Sequence, residues 1–377
     1  MDLDLTDAQS ALRDQAREVS LRDLAPMAAE IDRQQRFPSA AIARLAKLGM
    51  LGVTVPQPLG GAGLDHTACI LALEELASAC ASTASIVALH NLLVCEPLLR
   101  FGSEDQKRLW LPALSSGEQL GCFALSEEGG GSSLESIGTT ARREGEGFIL
   151  RGCKSFVTGG PHARLALVFA VDAAKESLSA FLVPTDSAGI SFGRAYDKLG
   201  LRGAVAAPMT LADVRLPGSA LLGTEGGGRE VLRFALEGGR TGAAAVGVGI
   251  ARAAFEAATR YALARYTDGE PIAEHQAIQF KLAEMSTQID AARLLAWRAA
   301  SGRDRGAAPG AQAAMAKLVA SETASRVASD AVQILGGNGC LTDFAVERYF
   351  RDAKVTEIYE GTSEILRLRI ASVLLKD

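Results

Sequence analysis

The chain has 377 residues, of which 48% are hydrophobic and 22% charged, with a net charge of −5. The length argues for two or three domains, the composition against disorder, and the acidic balance against a protein built to neutralise nucleic-acid phosphates. Four histidines, and six cysteines at 69, 80, 95, 122, 153 and 340 with no C-x-x-C pair, argue against zinc-ribbon, thioredoxin and disulfide-scaffold readings.

The start, Met1 to Asp7, is acidic and lacks the basic region of a secretory signal, so a cytoplasmic protein is expected. Ahead of the first helix stand Thr6 and Asp7; Leu12, Ala16 and Val19 then share one helical face. Pro38 can open a second helix, with Ile42, Leu45 and Leu48 before Gly49 stops it. A Pro- and Gly-rich loop follows at 56–63. The segment from His66 to Phe101 is long and apolar, with Pro97 expected to break it into two helices. Leu76 to Cys95 carries no formal charge, but Ser78, Ser82, Thr83, Ser85, His90 and Asn91 fit a helix buried in protein better than a membrane span.

From Gly121 the texture changes. Glu144 to Gly147 reads as a hairpin turn. Leu165 to Val171 and Ser179 to Val183 read as short strands, the second ended by Pro184. Turn residues recur until Gly226-Gly227-Gly228, which predicts a compact β domain. Helical period then returns: Ile278, Leu282, Met285 and Ile289 share a face, as do Leu366, Ile370 and Val373. Breaks at 268–271, 301–310, 336–339 and 361 leave four or so long helices, a bundle. The expected fold is therefore α+β and multi-domain. An N-terminal helical domain spans 1–120, a middle β domain 121–226 and a C-terminal helical bundle 227–377.

Three Gly-rich stretches bear on chemistry. Gly247-Val248-Gly249 begins like a dinucleotide fingerprint, but Arg252 occupies the third glycine position and no strand precedes it, so close helix packing is the better reading. Ser126 to Ser133 offers side-chain-free N–H groups that can cradle phosphate, or a plain loop. In Tyr359-Glu360-Gly361-Thr362-Ser363-Glu364, Thr362 or Ser363 can cap a helix, and Glu360 is either a dipole-stabilising carboxylate or a base.

Taken together, these segments carry a resemblance. In order stand Phe101-Gly102-Ser103-Glu104, Trp110-Leu111-Pro112, Phe123-Ala124-Leu125-Ser126-Glu127 and Gly152-x-Lys154-x-Phe156-Val157-Thr158-Gly159. Gly239-Arg240, Tyr261-x-x-x-Arg265, His275-Gln276-Ala277-Ile278-Gln279-Phe280, Gln333-Ile334-Leu335-Gly336-Gly337-Asn338-Gly339, Arg351-Asp352-Ala353-Lys354 and Tyr359-Glu360-Gly361-Thr362-Ser363 follow. The chain closely resembles the acyl-CoA dehydrogenase family along nearly its whole length.

The resemblance implies a β-barrel-like middle domain, a C-terminal four-helix bundle, non-covalent FAD, a homotetramer built as a dimer of dimers, and an electron-transfer flavoprotein as acceptor. It implies desaturation of an acyl-CoA thioester to the trans-2-enoyl thioester, with Glu360 taking the α-proton. Phe123, Leu125, Ser126, Gly131 and Ser132 match positions lining the flavin and its phosphates; Phe156 and Thr158 match those flanking the isoalloxazine ring. Arg265, Gln333 and Gly337 match residues gripping a cofactor across a dimer interface, and Gln276, Thr362 and Glu364 also fall to the cofactor. Leu236, Glu237, Arg240, Tyr359 and Gly361 fall to the substrate, Glu237 and Arg240 as an acid–arginine pair.

Neither metal nor nucleic acid is implied. Departures include Phe156 for the Trp of some members, Glu128 for Pro, Ser133 for Asp, Asp268 for an aromatic residue, and Cys340 and Ala345 for Tyr and Pro. The alternatives are an oxidase of the same fold, an acyl-carrier-protein substrate, a DNA-associated superfamily member, and a catalytically silent one.

Overall fold

The computed structural model describes residues 4–133, 136–172, 177–306 and 310–375. The chain opens with helices α1 (Asp7–Val19), α2 (Ala25–Gln34), α3 (Ser39–Lys47), α4 (His66–Ala79), α5 (Ala81–Leu89), α6 (Glu96–Phe101) and α7 (Glu104–Ser115). Thr6 caps α1 reciprocally with Gln9, and Ser103 caps α7 with Gln106. Leu12, Ala16 and Val19 are buried, as their spacing predicts.

The expected break at Pro97 is a correction. The chain kinks instead at Cys80, whose backbone is extended (φ −148°, ψ 94°). From Ala81 to Phe101 it stays helical through a π segment, His90–Cys95, with Pro97 in the first turn of α6. A widened turn shifts the hydrogen-bond ladder, so proline's missing N–H is tolerated there. Ala81–Phe101 is long and apolar enough to cross a membrane, yet 89% of its most apolar window is buried inside the protein.

The strands are β1 (Gly121–Ala124), β2 (Thr140–Glu144), β3 (Gly147–Thr158), β4 (Leu165–Asp172), β5 (Ser177–Pro184), β6 (Ile190–Phe192), β7 (Ala206–Leu216) and β8 (Leu221–Leu222). They form one sheet in the order β6-β7-β3-β2-β4-β5-β8, with β1 parallel to β4. The β2–β3 turn closes on Glu144 opposite Gly147.

One irregularity positions the site. The register of β3 against β7 shifts between Lys154 and Val157. Strict alternation would put Lys154 and Phe156 on one face. The bulge instead buries Lys154 and Val157 and turns Phe156 outward, with φ 55° and 63% exposure.

The C-terminal part holds α8 (Gly228–Ala264), the small β9–β10 hairpin (Tyr266–Thr267, Glu270–Pro271), α9 (Gln276–Asp304), α10 (Gln312–Leu335), α11 (Val346–Thr356) and α12 (Ser363–Leu374). Three helices are long and the fourth leg is split at the 357–362 turn. Gly247 and Gly249 serve packing: an added Cβ would sit 3.1 Å from the Ala320 carbonyl oxygen and 2.5 Å from that of Glu74 respectively. Arg252 pairs with Glu74 and Glu75. Buried residues of α1–α5 and α8–α11 form one continuous core, so the N- and C-terminal helices pack as a unit.

Candidate active site

The turn between α11 and α12 is strained. Glu360 has φ 57° and Gly361 φ 98°. A left-handed backbone at a non-glycine residue is uncommon and collects at functional positions. Thr362 caps α12 by accepting from the Ile365 N–H (3.4 Å), and the Ser363 N–H donates to the Glu357 carbonyl (3.1 Å).

Two cations hold this turn by its backbone. Arg240 Nε donates to the Glu360 carbonyl (3.3 Å), and Lys317 Nζ donates to the Gly361 carbonyl (2.7 Å). The Glu360 carboxylate is left alone: Oε2 is sealed from solvent without a hydrogen-bond partner, although the residue as a whole is partly exposed. Its burial pushes its pKa up to about 7, against the pull of Arg240 and Lys317. The opposite wall is Gly239, where an added Cβ would lie 2.4 Å from Glu360 Oε2 and 2.7 Å from Leu93 Cδ2. A side chain there would push the carboxylate or the Leu93 methyl group aside.

The other predicted substrate residues lie around this point. Tyr359 packs on the helical core with its hydroxyl sealed from solvent near Ser85. Glu237 has one unpartnered, sealed oxygen, and burial raises its pKa despite Arg233, Arg303, Arg369 and Arg240. Glu237 and Arg240 form no ion pair among the described residues. Leu236 packs on the same apolar cluster as Phe123 and Leu125, which brings the end of β1 beside α8.

The predicted flavin residues cluster at the strand ends. Phe123 meets Phe169 edge-on (5.4 Å), and Phe156 stacks on Tyr196 (4.7 Å). Thr158 ends β3 and lines a small cavity with Phe37, His90 and Gly121. Ser126 is tied to β3 through its carbonyl, which accepts from the Ser155 N–H (2.7 Å). Gly131 and Ser132 are exposed, and a Cβ at Gly131 would approach Ser126 Oγ to 3.2 Å. Glu364 is exposed in the first turn of α12; its own N–H and the Thr362 hydroxyl hold its pKa below the usual carboxylate range.

A third group stands apart. Arg265, Gln276, Gln333 and Gly337 are all exposed. The Asn338 amide donates to the Tyr261 hydroxyl (3.0 Å), joining the 336–340 turn to the end of α8 that carries Arg265. Gln333 lies sixteen residues beyond Lys317 along α10, about 24 Å by helix rise. Asp268 sits at the tip of the β9–β10 hairpin with φ 52°, a left-handed turn position that suits Asp and strains an aromatic residue.

Three side chains that hold the site were given no role in the sequence reading. Lys317 is wholly buried, and the signal was present: it falls on the same face of α10 as Ala314, Ala320 and Ala324. Glu127 and Lys154 form the other pair. Lys154 Nζ lies 2.7 Å from Glu127 Oε1 and donates to the Leu125 carbonyl (3.2 Å). The Glu127 carboxylate also accepts from the Gly138 and Thr139 N–H groups and the Thr139 hydroxyl. Burial raises the Glu127 pKa, but these bonds outweigh it and the net shift is downward. The pair thus anchors the Ser126–Gly131 loop to the sheet.

A carboxylate with a sealed oxygen facing a glycine wall, and a sheet that presents aromatic rings and a Gly-rich loop, suit a flavin-dependent oxidoreductase. Domain models described as acyl-CoA dehydrogenase N-terminal, middle and C-terminal domains match residues 6–118, 122–214 and 226–375. The chain belongs to the acyl-CoA dehydrogenase family. It is 44% identical to the human short-chain specific acyl-CoA dehydrogenase, mitochondrial, over 99% of this chain and 92% of that one. The solved butyryl-CoA dehydrogenase of Megasphaera elsdenii superposes with a TM-score of 0.98 at 36% identity, over 100% of both chains. A chain from the electron transferring flavoprotein structure of Acidaminococcus fermentans superposes with a TM-score of 0.98 at 38% identity, again over 100% of both.

FAD is the cofactor of the family, and the residues here fit it. Phe156 is aimed outward by a bulge, the loop after Ser126 is braced by the Lys154–Glu127 ion pair, and Gly131 leaves its exposed backbone free of a side chain.

Proposed function

We propose that the protein desaturates short acyl-CoA thioesters to trans-2-enoyl thioesters, with Glu360 as the base. The observation that carries this is the sealed, unpartnered Oε2 of Glu360, held at a pKa near neutrality by burial. A carboxylate oxygen shielded from solvent, with no hydrogen bond to lose, accepts a weakly acidic α-proton more readily than a solvated one. The Glu360 N–H has no partner among the described residues, so it is free to donate to the thioester oxygen as negative charge develops there. Arg240 and Lys317 fix the peptide units on either side of that N–H.

Bound FAD supplies the acceptor for the β-hydride. Phe123, Leu125, Ser126, Gly131, Ser132, Phe156, Thr158 and Thr362 would hold it from this chain. The separate group of Arg265, Gln276, Gln333 and Gly337 would serve a second copy, which fits a homo-oligomer; a homotetramer is the form we infer. The electrons would pass to an electron-transfer flavoprotein. A short acyl chain is the reading supported by the likeness to short-chain specific and butyryl-CoA dehydrogenases.

Anaerobic titration of the FAD-loaded protein with acyl-CoAs of increasing length, read as bleaching of the flavin, tests the reading. Butyryl-CoA is expected to bleach it most readily. No bleaching by any acyl-CoA would overturn the proposal.

A further inference from the structure

Lys317 is costly to place where it stands. It is fully buried on the small-residue face of α10, with Ala314, Ala320, Ser321 and Ala324 buried around it. Methionine or leucine would fill such a position without desolvating a charge, so a filler role does not account for the ammonium. Its recorded bond goes to the Gly361 carbonyl, the residue after the proposed base.

We propose that Lys317 is a positioning residue for proton abstraction: it anchors the strained Glu360–Gly361 turn through the Gly361 carbonyl, and its charge keeps the Glu360 carboxylate ionised at neutral pH. This rests on the reading of Glu360 as the base.

The charges around the pair are few. Arg240 and Lys317 face Glu360. Glu360, Arg240, Glu357 and Glu364 face Lys317. Arg240 in turn faces Arg369 and Glu237. Burial lowers the Lys317 pKa to about 8, with Glu360 opposing the fall. Both groups are therefore charged between about pH 7 and about pH 8. The two cations act through backbone carbonyls, so they stabilise the carboxylate by field without capping the oxygen that must take the proton.

The test uses Lys317→Met in the FAD-loaded enzyme. Two readouts are followed against pH: single-turnover flavin reduction by butyryl-CoA, and the carboxylate infrared bands that disappear in Glu360→Gln. Both midpoints should move to higher pH by about one unit, which from a midpoint near 7 is about a fivefold loss of ionised base at neutral pH. The reduction rate should recover in alkaline solution, and Lys317→Arg should bring the midpoints back. Unmoved midpoints, with only stability or FAD content reduced, would overturn the proposal.

If the Met variant does not fold, the coupling is read from the other side. Glu360→Gln should lower the pKa of Lys317 by the same amount, followed by NMR of carbon-labelled lysine; an unmoved lysine would overturn the proposal. Should the wild-type protein reduce no flavin, the base reading fails, while the infrared titration still decides Lys317.

Discussion

Gly239→Ala is the smallest change that should disable the site. Its Cβ would lie 2.4 Å from Glu360 Oε2 and 2.9 Å from Cδ, where ordinary contact begins at 3.4 Å. The carboxylate would have to swing away by about 1 Å, because Arg240 and Lys317 hold the backbone of its turn in place. A misplacement of that size at a reacting atom costs roughly 10²-fold in rate. Helix propensity alone would favour the alanine by up to about 1 kcal/mol, so lost activity is not expected to reflect a weakened α8. Anaerobic stopped-flow reduction by butyryl-CoA measures the effect, with FAD content and urea unfolding as controls. A rate within about threefold of wild type would refute the steric argument.

Two further outcomes follow from buried charges. His66 lies 2.8 Å from Asp304 and 3.0 Å from Glu96; burial and Arg303, whose Nε donates to His66 Nε2 (2.8 Å), oppose protonation, but the two carboxylates raise its pKa to about 9. The stabilisation is complete below the unfolded pKa of 6.5 and is lost as pH rises through about 9, at most about 3 kcal/mol. Urea unfolding across that range should show the loss in wild type and a flatter curve in His66→Gln; equal slopes would sink the assignment. Lys154→Met removes the cation beside the Glu127 carboxylate, which keeps its bonds from Gly138 and Thr139, and should cost about 1–3 kcal/mol and speed FAD release. Adding Glu127→Gln should recover part of that loss, and strict additivity would show that the pair does not act together.

The order helices, strands, helices was legible because periods of 3.6 and 2 differ plainly over long stretches. Glu360, Gly361 and Thr362 were legible from one short motif, and their strain and capping agree with it. Pro97 misled because its effect depends on the π segment before it, which no local propensity announces. Lys317 was readable in principle, as a charge on an otherwise small-residue face. Glu127 and Lys154 lie 27 residues apart, and His66 and Asp304 lie 238 apart; only the folded chain joins them. The same holds for Phe156, whose outward aim comes from a bulge that its sequence alternation hides.

The central claim is that Glu360 takes the α-proton. Glu360→Gln keeps the side chain's size and the turn's backbone bonds but cannot accept a proton. Anaerobic single-turnover reduction by butyryl-CoA should fall by about 10²–10⁴-fold, with FAD content and acyl-CoA binding retained. Reduction within a few fold of wild type would contradict the account and place the base elsewhere, with Glu237 the next carboxylate to replace.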